Sequence, residues 1–197
     1  MNSKLTESAL EQMFGAARSH STWIDRSVED ALLREVYRLA SLGPTSANCC
    51  PARFVFVRTA PGRELLAQHV FDLNKVKVRT APVTLIVGQD PRFYEEMGRL
   101  CPQRPQFAQL FAGNAALADV TAFRNSTLQG AYVLMAARAL GLDTGPMSGF
   151  DHPGVDAAFF PDGRVKSNFL CCLGYADSTQ LHPRLPRLGF DEACRLV

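Results

Sequence analysis

The residues at 81–88, APVTLIVG, constrain the fold more than any other stretch of the chain. The run is almost continuously apolar and rich in β-branched side chains, which is typical of a strand buried within a sheet. SNFLCCLGY at 167–175 shows a similar pattern, and RFVFVR at 53–58 is a third predicted strand. Because helical patterns alternate with these strands, one αβα layered domain over residues 1–197 is predicted.

Helices are predicted where apolar residues recur every three to four positions. The longest covers 115–140, with Leu128, Ala131, Met135 and Ala139 on one stripe. Shorter helices are predicted at 5–18, from a cap at Ser27 to Gly43, at 62–70 and at 155–160, the last begun by Pro153. The other segments are predicted as an extended piece at 143–147, a basic connector at 74–80, a partly helical surface excursion at 90–113, and a tail ending in a helical turn.

Composition limits the classes of partner. The 197 residues carry a net charge of +2, with a pI near 8.3 and no run of Lys or Arg, so nucleic acid is not an expected partner. No apolar run reaches membrane-spanning length and the amphipathic start is unlike a signal peptide, which predicts a cytoplasmic protein without membrane contact. The six cysteines show no C-x-x-C or Cys/His spacing, so buried reduced thiols and no metal site are expected.

The stretch ALGLDTGPMSGFD, residues 139–151, is the first candidate for a ligand site. Gly141, Gly145 and Gly149 have no Cβ and let backbone approach a ligand closely, while Pro146 fixes φ and removes one donor. Such a surface suits a flat cofactor whose ring edge is bound by backbone N–H and C=O groups. The alternative is an ordinary helix-to-strand connection with a glycine cap and a tight turn.

Two polar islands in predicted loops carry groups that bind phosphate or ring heteroatoms. Arg18 offers a bidentate fork with His20 beside it, which suits a phosphate, although a solvated helix end explains the same residues. Thr45, Ser46 and Asn48 supply short donors and acceptors for a ring edge, or form a turn that stops a helix.

Two further islands are cationic. Asn74 and Lys77 precede the strand at 81–88, where an ammonium can stabilise a group that becomes anionic during a reaction, or can simply be solvated. Arg184 and Arg187 again suit a phosphate, or belong to a charged tail.

The chain thus carries, in this order, R-S-H-S, G-P-T-S-A-N, N-x-x-K, G-L-D-T-G-P-M-S-G-F-D and an Arg-bearing tail. This ordered set resembles the FMN-dependent nitroreductase superfamily along essentially the whole chain. Four segments are similar to the branch that contains the malonic semialdehyde reductase of the Rut pyrimidine-degradation pathway: GPTSANCCPAR, TAFRNS, ALGLDTGPMSGFD and RLPRLGFDEAC. The resemblance implies an α+β, three-layer αβα flavoprotein with a mostly antiparallel central sheet. It also implies a homodimer with two FMN sites at the subunit interface.

The resemblance implies a set of cofactor-binding residues. The set is Arg18, His20, Pro44, Thr45, Ser46, Asn48, Asn74, Lys77, Pro146, Met147, Ser148, Gly149, Arg184 and Arg187. The phosphate would be held by Arg18 and His20 together with Arg187 or Arg184, the two tail positions being alternatives. Many family members have a second Arg, or Ser-x-Arg, after the first Arg, whereas this chain reads His-Ser-Thr-Trp at 20–23.

The same resemblance implies how the flavin ring is held. Residues 44–48 would reach the flavin from the other subunit, and residues 146–149 would line the isoalloxazine near N5. Asn74 and Lys77 would face the pyrimidine edge, with Lys77 stabilising negative charge on the reduced ring. No acid, base or nucleophile is assigned as a catalytic residue, because the chemistry belongs to the cofactor.

The implied activity is that of an NAD(P)H oxidoreductase. NADPH or NADH would deliver hydride to FMN, and a small-molecule substrate would then take it in the same place. The implied substrate is malonic semialdehyde (3-oxopropanoate), reduced to 3-hydroxypropanoate. Reduced flavin passes hydride more readily to nitroaromatics, quinones and enones, so a reductase of those compounds is the alternative enzyme. A flavin-binding or sensing module without turnover is the alternative of another class.

Overall fold

A four-stranded antiparallel sheet forms the centre of the computed structural model, which describes residues 3–197. Its strands are β1 (Ala52–Val57), β2 (Val83–Gln89), β3 (Asp143–Met147) and β4 (Lys166–Gly174), in the spatial order β1-β2-β4-β3. The three strands predicted from apolar runs are β1, β2 and β4, and the predicted extended piece is β3. Six of the seven residues of β2 are buried, which agrees with its continuous apolar run.

Helices cover both faces of the sheet. One face carries α2 (Asp30–Ala40) and α7 (Ala115–Ala139), and the other carries α3 (Ala60–Ala67), α4 (Asp72–Thr80) and α8 (His152–Phe159). Side chains alternate along the strands, so Leu85 and Cys171 pack under α2 and α7, whereas Ile86 and Cys172 pack under the other three helices. The predicted three-layer α+β architecture is confirmed.

The remaining elements are short. They are α1 (Glu7–Leu10), a π-helical turn (Glu11–Gly15), 3₁₀ turns at Ser46–Asn48, Phe93–Glu96 and Ser178–Gln180, α5 (Met97–Leu100), α6 (Gln106–Ala112) and α9 (Phe190–Ala193). The helix predicted at 5–18 is therefore shorter and changes to π-helical geometry. The second helix begins after Glu29 and not at Ser27, whose hydroxyl instead donates to the Glu29 carboxylate at 3.4 Å.

Two segments differ from their predictions. Residues 74–80, predicted as a connector, belong to α4, because Lys and Arg are good helix formers and Val78 supplies a buried anchor. Residues 90–113 are largely helical and not a loose excursion. Phe93 is fully buried there and packs on Phe111 with ring centroids 4.9 Å apart, forming a small core against α7.

The face of α7 that packs on the sheet is also not the predicted stripe. The buried side contains small and polar residues such as Ser126, Gly130 and Ala137, while Leu128 is 45% exposed. A helix that is apolar all round gives no periodic signal for its buried face.

All six cysteines are free: Cys49, Cys101, Cys171 and Cys172 are buried, Cys50 is half-buried and Cys194 is exposed. Among the described residues, no helix is long and apolar enough to cross a membrane.

Candidate functional site

Residues 18–20 lie along the free edge of β3. Ser19 forms a parallel bridge with Thr144, and the N–H of His20 donates to the carbonyl of Thr144 at 3.0 Å. Gly145 makes this approach possible, because a Cβ there would lie 2.3 Å from the His20 carbonyl oxygen. The structure therefore brings the first polar island against the glycine-rich stretch.

A cavity of about 350 Å³ opens beside this contact. Its walls come from the N-terminal segment, the end of α7 and the start of β3, and include Arg18, Arg138, Asp143 and Thr144. Within the described part of the chain, Nε of Arg138 and Oγ1 of Thr144 are buried without a hydrogen-bond partner. Buried polar groups are normally paired, so these two atoms are where a polar ligand is expected to bind.

The imidazole of His20 is buried next to these residues, with 5% of its surface exposed. Its Nε2 lies 3.4 Å from Oδ1 of Asp143, and its Nδ1 has no partner among the described residues. Burial lowers the pKa of His20, the Asp143 carboxylate opposes that effect, and Arg18 and Arg138 lower the pKa further. His20 is therefore neutral at pH 7 and has one ring nitrogen without a partner.

Hydrogen bonds from two arginines join the C-terminal tail to the N-terminal segment. Arg18 donates to the carbonyl oxygen of His182, and Arg184 donates to carbonyl oxygens of the N-terminal segment, including that of Gly15 at 2.6 Å. Arg187 donates to carbonyl oxygens of its own tail at 3.0 and 3.1 Å. The guanidinium of Arg184 thus binds backbone carbonyls of the N-terminal segment. Within residues 3–197, that of Arg187 makes only the local bonds in its own tail.

The end of the glycine-rich stretch contacts the Asn74 island. Nδ2 of Asn74 donates to the carbonyl of Gly149 at 2.9 Å, and the N–H of Phe71 donates to the same oxygen at 3.1 Å. A Cβ at Gly149 would lie 2.8 Å from Nδ2 of Asn74. Ser148 is exposed, whereas the side chain of Met147 packs in the core, so Met147 presents backbone and not its side chain.

Lys77 lies near the end of α4 and is half-buried. Burial raises the pKa of the Cys172 thiol to about 12, while its hydrogen bond with Thr84 and the charge of Lys77 oppose the rise. The thiol of Cys172 donates to the backbone carbonyl of Lys77 at 3.7 Å, and Cys172 pairs with Gly145 across the sheet. The backbone of Lys77 therefore lies against the strand that pairs with the glycine-rich stretch.

The loop at 44–48 lies across the sheet, ahead of the edge strand β1. The N–H of Ser46 donates to Oδ1 of Asn125 in α7 at 2.8 Å, and Nδ2 of Asn48 donates to a carbonyl at the end of α5 at 2.8 Å. Ala47 and Asn48 have positive φ values of 50° and 53°, a costly backbone conformation that these contacts hold in place. The hydroxyl of Thr45 accepts from the N–H of Cys50 at 3.2 Å.

The predicted residues therefore fall into two sets within one chain. Arg18, His20, Asn74 and Lys77 lie around β3 with residues 146–149, and the loop at 44–48 lies at the opposite edge of the sheet.

The sequence did not predict two residues that contact the predicted ones: Arg138 lines the cavity with Arg18, and Oδ1 of Asn125 accepts from the N–H of Ser46. A lone Arg in the last turn of an apolar helix is explained by the helix dipole alone, so its sequence position carries no signal for ligand binding. The sequence position of Asn125 likewise carries no signal for a functional contact, because a polar residue inside a long helix is usually solvated. Their roles follow only from the contacts that the fold creates.

A larger cavity, of about 790 Å³, lies between α2 and the free edge of β1 and contains the Asp30–Arg58 ion pair. It shares no residue with the predicted set and lies at the opposite edge from β3, so its size does not make it the site. Among residues 3–197, no group of three or more His, Cys, Asp or Glu side chains could hold a metal ion.

Relatives with known names resemble the chain over nearly its full length. The model of the nitroreductase family matches residues 15–175. A Ralstonia pickettii protein, provisionally named NADH dehydrogenase/NAD(P)H nitroreductase HadB, is 53% identical over 191 residues, which cover 96% of this chain and 97% of the relative.

Solved structures share the fold. A provisionally described nitroreductase of Exiguobacterium sibiricum, solved in complex with FMN, has a TM-score of 0.85 at 21% identity, with 100% of both chains covered. CLA-ER, an enone reductase of gut-bacterial fatty acid saturation metabolism, has a TM-score of 0.81 at 18% identity, covering 98% of this chain and 100% of that one. The fold, the family match over residues 15–175 and the nearly full-length relative at 53% identity together show that the chain belongs to the nitroreductase family.

Proposed function

We propose that the protein is an FMN-dependent NAD(P)H oxidoreductase that acts on a small molecule. The observation that carries this proposal is the meeting, around β3, of three separately predicted pieces: residues 18–20, residues 145–149, and Asn74 with Lys77. The names of the relatives, which include NAD(P)H nitroreductase, and the FMN complex of a structural neighbour agree with it.

The phosphate end of FMN fits the cavity beside β3. Arg18 and Arg138 bring positive charge, and Nε of Arg138 and Oγ1 of Thr144 are buried donors that lack partners in the described chain. A phosphate monoester supplies acceptors for such donors. Arg187 is the tail residue that we assign to the phosphate, because the alternative tail arginine clamps backbone carbonyls.

The residues around Gly149 fit the polar edge of a flat ring. Asn74 and the N–H of Phe71 fix the Gly149 carbonyl, so this backbone is rigid before any ligand arrives. Asn74 uses Nδ2 for that bond, which leaves Oδ1 as an acceptor for a ring N–H. Lys77 supplies the nearby positive charge.

When bound, FMN supplies the two-electron chemistry that links NADPH or NADH to the second substrate. The chain's own residues anchor the phosphate, hold the ring edge and keep it against the glycine-rich backbone. Lys77 would stabilise the negative charge that reduction would place on the bound ring. An interaction that differs between these states accelerates a reaction, whereas uniform binding does not.

A homodimer is part of the proposal. The loop at 44–48 precedes β1, at the edge of the sheet opposite β3, and its hydroxyl and amide groups would serve the partner's FMN. The outer face of α7 supports such an assembly, because Val120 and Phe123 are 53% and 56% exposed and border a shallow apolar groove of about 510 Å³.

We assign malonic semialdehyde as the substrate and 3-hydroxypropanoate as the product, on the resemblance of GPTSANCCPAR, TAFRNS and RLPRLGFDEAC. A reductase of nitroaromatics, quinones or enones is the second candidate, and the names of the relatives and of the structural neighbour CLA-ER favour it. A non-catalytic flavin-binding module would keep FMN but would not be reduced by NADPH.

The test begins with the purified protein, which we expect to be yellow with about one FMN per subunit. Arg18→Ala should weaken FMN binding by roughly 1.5–3 kcal/mol, the contribution of a charge-assisted hydrogen bond. Arg34→Ala, at an exposed position of α2, is the matched control and should bind FMN as the wild type does. A colourless protein that cannot be reconstituted with FMN would remove the proposal.

Stopped-flow kinetics under anaerobic conditions then distinguish the candidates. Reduction of the bound flavin by NADPH and by NADH separates an enzyme from a binding module. Reoxidation by 3-oxopropanoate, by a nitroaromatic and by a quinone identifies the substrate class, and we expect the aldehyde to reoxidise the flavin at a rate that saturates with its concentration.

A further inference from the structure

A short ladder joins the segment before α4 to the end of the glycine-rich stretch. The N–H of Asp151 donates to the carbonyl of His69 at 2.7 Å, and the N–H of Phe71 donates to the carbonyl of Gly149 at 3.1 Å. One residue of each segment lies between these two bonds. The segment at 69–71 is thereby held in a defined register against the proposed flavin-lining backbone.

Two ionisable side chains lie on the same side of this ladder. Between its two bonds, Val70 and Phe150 form an antiparallel bridge and pack in the core. Because side chains alternate along extended backbone, His69 and Asp151 point away from that core, on the same side as Phe71. Nδ1 of His69 lies 3.9 Å from Oδ2 of Asp151.

The carboxylate of Asp151 is directed at the imidazole and not at the helix that it precedes. Asp151 is the N-cap residue of α8, where an aspartate usually accepts a hydrogen bond from a backbone N–H of the first turn. It makes no such bond here. The side chain is 54% exposed and that of His69 is 26% exposed, so solvent reaches both.

Gly154 leaves the room that the pair occupies. A Cβ at this position would lie 2.3 Å from Oδ2 of Asp151 and 2.3 Å from Nδ1 of His69. The φ of Gly154 is not positive, so the backbone does not require glycine. Glycine inside a helix is unfavourable relative to alanine, and the His69–Asp151 pair is the feature of the structure that accounts for it.

The pair lies close to the proposed site. His69 is two residues from Phe71 and Asp151 is two residues from Gly149 on the same side of the ladder, which corresponds to roughly 7 Å along extended backbone. Carbonyl reduction needs a proton at the oxygen as well as a hydride at the carbon, and the residues assigned above supply none. We propose that His69, oriented through Nδ1 by Asp151, donates this proton from Nε2; the inference rests on the proposed function.

Reduction of the aldehyde adds one hydride and one proton. Hydride from the reduced cofactor forms the new C–H bond at the aldehyde carbon, and the C=O π bond breaks. Its electron pair takes the proton from Nε2 of the imidazolium, giving the alcohol, the oxidised cofactor and a neutral imidazole. Because His69 is partly exposed, water returns the proton before the next turnover. The separation of 3.9 Å is that of the ligand-free pair, and such contacts shorten when substrate binds.

If His69 donates the proton, its removal should slow reduction of the aldehyde and leave reduction of a quinone nearly unchanged. An alkoxide is too basic to form without a proton donor, whereas the anion formed from a quinone is delocalised and takes its proton later from water. His69→Gln and Asp151→Asn should therefore lower kcat for 3-oxopropanoate at least tenfold while leaving quinone turnover and FMN content within about twofold of wild type. Gly154→Ala should give the same selective loss by displacing the pair. His182→Gln, in the exposed tail, is the matched control.

A second measurement does not depend on turnover. We expect the imidazole NMR signal of His69 in the oxidised holoprotein, identified by its loss in His69→Gln, to move when 3-hydroxypropanoate is added. It should not move in Gly154→Ala. Equal loss of aldehyde and quinone turnover in the variants, no loss of either, or an imidazole signal unaffected by the product would overturn the proposal.

The same experiments separate this inference from the function on which it rests. A wild-type protein that reduces quinones but no aldehyde would overturn the role of His69 and leave the flavoenzyme intact. A wild-type protein whose flavin NADPH does not reduce would remove both.

Discussion

At the scale of single residues, His20 couples the stability of the fold to pH. Its folded-state pKa lies below the ordinary value of 6.5, mainly because the ring is buried. When pH falls, the unfolded chain therefore takes up a proton before the folded chain does. The stabilising contribution of the neutral ring is complete above pH 6.5 and is lost as pH falls through the lowered folded-state pKa.

We expect His20→Gln to flatten this dependence. Urea denaturation between about pH 5 and pH 7.5 should show that the free energy of unfolding falls less steeply below pH 6.5 in the variant than in the wild type. His182→Gln, in the exposed tail, is the matched control and should behave as the wild type. Identical slopes in His20→Gln and wild type would mean that His20 titrates normally.

Lys77 is the residue whose charge we expect to tune the bound flavin. An ammonium beside the ring stabilises the reduced, anionic form more than the oxidised, neutral form. Lys77→Met keeps much of the stem but removes the charge, so the midpoint potential of the bound FMN should fall by tens of millivolts, roughly 30 mV for each 1.4 kcal/mol. Reduction by NADPH should slow, with only a modest loss of FMN affinity.

Redox titration of the flavin measures this effect, and Lys75→Met is the matched control. Lys75 lies on the same helix and forms an ion pair with Asp72 at 2.7 Å. An unchanged potential in Lys77→Met would show that Lys77 is an ordinary solvated side chain.

Residue identity alone predicted part of the candidate site. Arg18, His20 and Asn74 stand out in the sequence because they are polar groups in segments predicted as connectors. The fold brings all three to β3, Asn74 from within α4. Arg138 does not stand out, because the burial of its Nε depends on packing between segments that are distant in the sequence. The packing of the Met147 side chain in the core was equally unpredictable, since nothing in the sequence fixes the direction of that side chain.

At the scale of elements, α7 is organised by size and not by polarity. Its buried face carries small residues that let the helix approach the sheet, and its outer face carries larger apolar ones. Gly130 marks the closest approach, because a Cβ there would lie 2.5 Å from the ring of Phe169 and 3.3 Å from Val87. Hydrophobic periodicity predicted the helix itself but could not identify the face that packs.

We expect Gly130→Ala to destabilise the protein although alanine favours helix. The gain in helix propensity is about 1 kcal/mol, and the cost of overpacking a tight contact is about 1–3 kcal/mol. The net result should be a loss of up to ~2 kcal/mol, measured by urea denaturation. Gly98→Ala in α5 is the matched control, because no atom lies within 4 Å of its added Cβ, and it should stabilise the protein slightly. A stabilised Gly130→Ala would contradict this account.

At the scale of the whole molecule, alternation of strand and helix patterns was sufficient to predict the layers. Apolar runs predicted β1, β2 and β4 to within about two residues, because buried strands depend on local composition. The helical turns at 90–113 were less predictable, since Phe93 and Phe111 become a core only after α7 is in place. The sequence could not predict the distances between loops at opposite edges of the sheet, because those distances depend on the complete topology.

The proposed FMN site combines residues of two chains, and mixed dimers test this proposal directly. Consider one chain with Arg18→Ala and a second with Thr45→Val and Asn48→Gly, the glycine being chosen because residue 48 has a φ of 53°. If each site combines residues 18–20 of one chain with the 44–48 loop of the other, the mixed dimer contains one doubly altered site and one unaltered site. We expect it to bind one FMN per dimer with wild-type affinity, whereas both altered homodimers bind FMN weakly. Differently tagged chains, co-expressed and purified through both tags, allow FMN binding to be titrated by fluorescence. If each site were instead built within one chain, every site in the mixed dimer would carry one defect, and no site of wild-type affinity would be found.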